Sequence, residues 1–482
     1  MLLPALCWPA QTSITLDQLI TMARAAPPEF SAEALIRIGA IDKVEKARKI
    51  ELLEEAFRRA ADAQLPYRQR ASIVKVAGPA GVYNRAGAQG LDALSLRLKA
   101  VRAMLPLDGA HARDMFHRIP PVKLPQLKCE QYLVYDVDGF YEVLDRIAKE
   151  TFTPAEVAEG DSYRFVEPYV LAMMSPVQLP GAARLIADSN VGDKEFEALM
   201  SAYAKTIVKI KGDDRSFTYA AAGPPIHSVV VAAQNRKLPV APLLEAYRVY
   251  LVNNMSAPRC ADDDMVVYEA TSFAFTDPRA TEQQGPDPAV YFNVHLRVPP
   301  LQDIKETEVT PAKLEGVATG LHGCEDATCK SIVPLYTGLI FDPDHNPLPF
   351  SKKETPEWQG QCIDLLKAMA TWKPAAPADS AEYFREKSSL YSDLTNIQPN
   401  AAAKVAVLRE ELAFVTKSKA MAENRAQWFL PLNAIIGRVT LDPLGLSALA
   451  DDLRATTDPV ITLFTELDAL APRRPDQIMP LI

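Results

Sequence analysis

The stretch DKVEKARKIELLEEAFRRAADAQLPY, Asp42 to Tyr67, sets the reading of the whole chain. Asp42 and Glu45 have the spacing of a capping box, in which each side chain satisfies a backbone N–H of the other's turn. Ile50, Leu53, Phe57, Ala60 and Ala61 then fall on one helical face. The pattern predicts a long amphipathic helix followed by the short proline-bearing connector QLPY. The same grammar recurs along the sequence. Thr153-Pro154 with Glu156 forms a helix start in which cap, fixed φ and reciprocal carboxylate coincide. Phe196, Leu199, Met200, Tyr203 and Ile207 carry another stripe. Thr355-Pro356 opens a helix whose Trp358, Cys362, Leu365, Met369 and Trp372 lie at offsets 0, 4, 7, 11 and 14, a predicted core face.

Further helical patterns cover Leu91 to Leu105, Ala241 to Asn253, Ser380 to Leu394, Ala401 to Phe414 and Asp458 to Leu470, separated by connectors such as KLPVAP and NIQPN. Helix, short turn, helix is the arrangement of hairpins stacked into a solenoid or superhelix. The segment LLEEAFRRAADAQLPY resembles the second helix of a tetratricopeptide-type repeat, with Phe57 and Ala60 at the expected spacing and Pro66 near the repeat's end. Leu53 stands where that family has alanine, and neither the first-helix Trp, Leu-Gly and Tyr pattern nor a strict 34-residue period is found. The resemblance covers about one hairpin and implies a repeat-like helical architecture; it establishes neither family membership nor a ligand.

Composition agrees with a helix-dominated globular chain. The 482 residues are 48% hydrophobic, enough for about three units of roughly 150 residues unless repeats fuse them. Glycine numbers 20 and proline 39, against a glycine-rich nucleotide fold and for many punctuated helices. Lys plus Arg total 52 against 61 acids, a net charge of -9 without a long single-sign run, so nucleic acid is not an expected partner. No apolar run reaches the length of a membrane span. The N-terminus MLLPALCWPAQTS resembles the back half of a secretory signal ending at Ala10, without the basic front region; its alternative is an ordinary apolar segment. Leu6 is too large for the residue before a lipidated Cys7.

The expected layout is residues 1–10 as a signal remnant, 11–259 as a helical array, 260–352 as an irregular, partly β insertion, and 353–482 as a helical bundle. Strand periodicity marks AVYFNVHLRV, with Phe292, Val294, Leu296 and Val298 on one side; IVPLYTGLIF, Ile332 to Phe341, reads as a second strand limited by Pro334.

Chemistry concentrates in GLHGCEDATCK, Gly320 to Lys330. His322, Cys324 and Cys329 supply three metal ligands where a structural zinc site needs four. Four residues between the cysteines is too many for a thioredoxin-like pair. In an exported chain the leading reading is a disulfide involving Cys324 or Cys329, with each other or with Cys260. Once Cys7 is removed, Cys129, Cys260, Cys324, Cys329 and Cys362 remain, an odd set whose pairing spacing does not decide. Asp262, Asp263 and Asp264 read as a solvated loop. DPDHNPLPF lacks the turn glycine and closing glutamate of a calcium loop, and YDVDGFYEVLD fails the same test. His111, Asp114 and His117 read as surface polarity, and His227 as a core or cap residue. Nucleophile-elbow, phosphate-loop, zinc-helix and dinucleotide signatures are absent from the sequence.

These observations favour a non-catalytic binding scaffold, exported to the periplasm or beyond, with a groove for a peptide, protein or envelope component and no cofactor. The alternatives are an α/α-type glycan hydrolase with paired carboxylates, for which Asp262 to Asp264, Glu325 and Asp326 are the first acids to test, and a metal or redox protein centred on His322, Cys324 and Cys329, with the cytoplasm as the alternative compartment.

Overall fold

The structure, a computed structural model, describes residues 14–63, 68–70, 90–124, 131–133, 135–211, 216–219, 222–255, 327–340, 342, 348–353, 355–374, 376–377, 380–442 and 445–470. The N-terminal helices are α1 (Leu16–Ala25), α2 (Pro28–Gly39), α3 (Lys46–Arg59), α4 (Ala93–Met104), α5 (Gly109–His117) and α6 (Val137–Glu150). They continue as α7 (Pro154–Ala158), α8 (Asp161–Leu171), α9 (Leu179–Ala187), α10 (Asp193–Ile207), α11 (Gly223–Asn235) and α12 (Ala241–Met255). The C-terminal set is α13 (Ala327–Ile340), α14 (Pro356–Thr371), α15 (Ser380–Ile397), α16 (Ala401–Lys417), α17 (Arg425–Leu441), α18 (Ser447–Arg454) and α19 (Pro459–Leu470). A small antiparallel ribbon pairs Arg68–Arg70 with Gln131–Leu133. The fold is mainly helical.

Two rows of helices emerge from the packing. In one, α2, α4, α6, α9 and α11 lie successively side by side; in the other, α8, α10 and α12 do, while α3 and α5 pack beside α4. Leu96, Ala100, Met104, Val143, Leu144, Ala182 and Ile186 are fully shielded where these helices meet. Small residues let backbones approach closely. An added Cβ on Gly181 of α9 would sit 2.6 Å from the Tyr141 ring of α6, so glycine is needed for that approach.

The C-terminal helices return to the start of the chain. Helix α19 packs on α1 and α2, and Phe30 of α2 sits among Trp428 and Phe429 of α17 and Phe464 of α19, with ring centroids 6.4, 4.8 and 6.3 Å away. Arg425 pairs with nearly buried Glu29 at 2.7 Å, and Arg37 pairs with Asp468. Packing therefore crosses between the segments read as N-terminal array and C-terminal bundle. A smaller core lies under α13 and α14, where Trp358, Cys362, Leu365, Met369 and Trp372 are all buried as their spacing predicts.

Three expectations change. The Asp42–Glu45 capping box does not form: the backbone turns over Ile41–Val44, and Glu45 becomes the cap residue itself, with no side-chain bond to the helix. Ile50 is half-buried and Ala61 exposed, so the buried face of α3 runs through Leu52, Leu53, Ala56 and Phe57. Of the strand expected at Ile332 to Phe341, the described residues up to Ile340 are helix α13, because Ile332, Tyr336 and Leu339 at offsets 0, 4 and 7 bury against α14 while Pro334 and Gly338 face outward. The strand expected at Phe292 to Val298, residues 1–10 and most of 260–352 lie outside the described residues.

Candidate functional site

The first candidate is a face. Lys99 of α4 meets Glu33 of α2 at 2.9 Å, Arg102 of α4 meets Glu142 of α6 at 3.3 Å, and Arg184 of α9 meets Asp138 of α6. Lys99 and Arg102 are one turn apart, as are Asp138 and Glu142, so the pairs form a ladder along one side of the row. Glu33 is the most shielded member at 20% side-chain exposure and Glu142 the most open at 62%, so the ladder is solvent-accessible over α4, α6 and α9. Exposed ion pairs of this kind contribute roughly 0–1 kcal/mol each. They link neighbouring helices and place both signs of charge along the row.

A second chain of pairs ties the other helices. Glu55 of α3 accepts from Arg24 and Arg59; Glu54 accepts from Arg118 through both oxygens at 2.8 Å and lies 3.0 Å from His111 Nε2. Burial alone would raise the Glu54 carboxyl, but the hydrogen bonds of Arg118 and His111 outweigh it and hold the group below its usual range. Thus His111 has a specific partner, beyond the surface polarity its spacing suggests. The Asp114 side chain acts on Arg118 only through its charge and makes no hydrogen bond to Glu54 or Arg118.

The second candidate is an interior polar centre between α15, α16 and α17. Asp393 of α15 accepts from Tyr336 Oη of α13 at 2.9 Å. Arg438 of α17 donates from Nη2 to Ser392 Oγ at 3.2 Å and Asn396 Oδ1 at 3.0 Å, both on α15. Glu411 of α16 is fully buried beside Arg438 and Asp393. Among the described residues neither of its oxygens has a hydrogen-bond donor, and Arg438 Nη1 has no acceptor. Burial pushes the Glu411 carboxyl up to about 8, Arg438 opposing the rise and Asp393 adding to it. One turn and more away on α15, Lys387 donates to Tyr383 Oη at 2.9 Å and lies 4.8 Å from the centre of the Phe414 ring. Burial pulls its ammonium down to about 8. The sequence carries a trace of this: Tyr383, Lys387, Leu390, Leu394 and Ile397 lie at offsets 0, 4, 7, 11 and 14, so the lysine interrupts an apolar stripe.

What this centre can do chemically follows from its burial. A general acid needs a raised pKa and contact with the proton's destination. Glu411 has the first property, and its complete enclosure denies a glycan the second. Asp92 offers a contrast: it is equally buried, yet it caps α4 by accepting from Ser95 N at 2.9 Å and Ser95 Oγ at 2.6 Å. Its burial is explained by that cap.

Most of the residues singled out around GLHGCEDATCK are not among the described residues. Cys260, His322, Cys324, Asp262 to Asp264, Glu325 and Asp326 lie outside the described residues, as do Cys7 and Cys129. Cys329 falls in the first turn of α13, so the supposed loop has become helix by that point. Cys362 is a free, buried thiol whose burial pushes it up to about 11; Gln398 Nε2 donates to its sulfur at 3.7 Å. Among the described residues no group of three or more His, Cys, Asp or Glu side chains is placed to hold a metal ion. Asp136 caps α6 by accepting from Gly139 N at 2.8 Å, which accounts for YDVDG as a helix start. Among the described residues no helix is long and apolar enough to cross a membrane. Comparison with known proteins finds no matching family model, no similar curated protein and no similar solved structure.

Proposed function

We propose that this chain is a non-catalytic helical scaffold, built from stacked tetratricopeptide-like hairpins in a solenoid, that binds a peptide or protein segment or an envelope component across α4, α6 and α9. The observation that carries the reading is the side-by-side row α2, α4, α6, α9, α11 with its ladder of interhelical charges. A row of parallel cylinders offers a wide surface, and side chains from several helices can address one extended ligand at regular intervals. The charges alternate, with Lys99, Arg102 and Arg184 against Glu33, Asp138 and Glu142, which suits a partner segment carrying both signs.

Panning the full chain against a random peptide library tests this. Peptides selected on the wild type should bind an Arg102→Glu, Arg184→Glu variant at least tenfold more weakly and lose affinity with added salt. Binding indifferent to both changes would sink the reading. Export is part of the same proposal. Intact mass after expression toward an oxidising compartment should show loss of residues 1–10 and thiols protected until reduction, with Cys324, Cys329 and Cys260 the expected participants; an uncleaved chain with every thiol free contradicts it.

A further inference from the structure

Glu411 stands apart from every other described acid in this fold. It occupies the middle of α16, is 0% exposed, and both carboxylate oxygens lack a donor among the described residues. Water–protein exchange normally leaves a buried polar atom bonded, and an ionised carboxylate without donors is among the costliest groups to enclose. A neutral acid avoids most of that cost.

The surroundings do not supply the missing compensation. From α15, Asp393 brings a second negative charge, Tyr391 lies close enough to interact, and Glu386 is buried a helical face-repeat before Asp393. From α17, Arg438 is, among the described residues, the one cation that acts on Glu411; its Nη2 is engaged by Ser392 and Asn396, and its Nη1 makes no hydrogen bond to either Glu411 oxygen. From α18, Asp452 pairs with Arg409 and Asp451 with Arg454 at the surface. On α16 itself Glu410 adds another acid beside it.

We propose that Glu411 is a proton-operated latch in the C-terminal bundle: as the neutral acid it lets α15, α16 and α17 close, and on losing its proton it loosens them, because an ionised carboxylate then stands in the interior without a donor. This inference does not depend on the scaffold reading. The sign follows from linkage. A carboxyl raised in the fold from 4.5 to about 8 contributes stability that is full below the unfolded value and is lost as pH climbs to the folded value. Over that window opening of the bundle releases about one proton, so its equilibrium constant rises about tenfold per pH unit.

Hydrogen exchange of α15, α16 and α17 amides, expressed as protection factors from pH 5 to 9, reads this directly. The wild type should lose protection by about tenfold per pH unit and flatten above about 8, while Glu411→Gln should lack that slope. Parallel wild-type and variant profiles would overturn the proposal. Because the variant could fail to fold, infrared spectra of the wild-type chain supply a second reading. A protonated-carboxyl C=O band present at pH 7 and gone by pH 9.5 supports the latch, and no such band at pH 7 refutes it.

Discussion

Phe30→Ala tests how the two ends of the chain are joined. Phe30 is 1% exposed and touches α17 through Trp428 and Phe429 and α19 through Phe464. Removing a buried phenyl ring costs about 3–5 kcal/mol, the ring-to-ring contacts contributing part of that sum. The flanking Arg425–Glu29 and Arg37–Asp468 pairs would remain. A loss of about 4 kcal/mol corresponds to about a thousandfold rise in the equilibrium for separating the contact. A chain of this length need not unfold in one step, so regional hydrogen exchange is the suitable assay. Protection should fall together in α1, α2, α17 and α19, while α9 to α12 change little. A fall below about tenfold at the junction, or an equal fall in α9 to α12, would refute the packing argument.

Three further outcomes are expected. Gly181→Ala should lower the melting temperature although alanine favours helix by about 1 kcal/mol, since its Cβ would meet Tyr141 at 2.6 Å; Gly360→Ala, with nothing within 4 Å, should raise it. Lys387→Met should be at least as stable as wild type near neutral pH. It should also lack the wild type's gain of about 1.4 kcal/mol per pH unit above about 8, because a buried ammonium lowered from 10.5 to about 8 costs less once neutral. A pH series of thermal melts from 7.5 to 10.5 measures the difference. Finally, Cys362 should resist alkylation in the folded chain and react on denaturation, as peptide mapping will reveal; rapid native labelling would contradict its burial.

Much of the helical order could be read from spacing because burial leaves a periodic trace. The Trp358 to Trp372 stripe and the Phe196 to Ile207 stripe both became buried faces, and the Thr153–Glu156 capping box formed with Glu156 Oε2 accepting from Thr153 N at 2.7 Å. Helix α13 was misleading for a physical reason. Its apolar run fills nearly every position, so the helical offsets of Ile332, Tyr336 and Leu339 are masked, and only packing against α14 selects them. Thr15 and Gln18 form a capping box for α1, whereas Asp42 and Glu45, at the same spacing, do not, because spacing alone does not fix where the backbone turns. The charge ladder and the Glu411 centre depend on residues far apart in sequence. Lys99 and Glu33 are ordinary surface residues until α2 and α4 lie together, and Glu411 is an ordinary helix acid until three helices enclose it.

The most direct test of the scaffold reading is a hydrogen-exchange footprint of the full chain with and without a library-selected peptide. The account predicts added protection in α4, α6 and α9, centred on the turns that carry Arg102, Asp138 and Arg184. Protection confined to α3, α5 and α8 would contradict it.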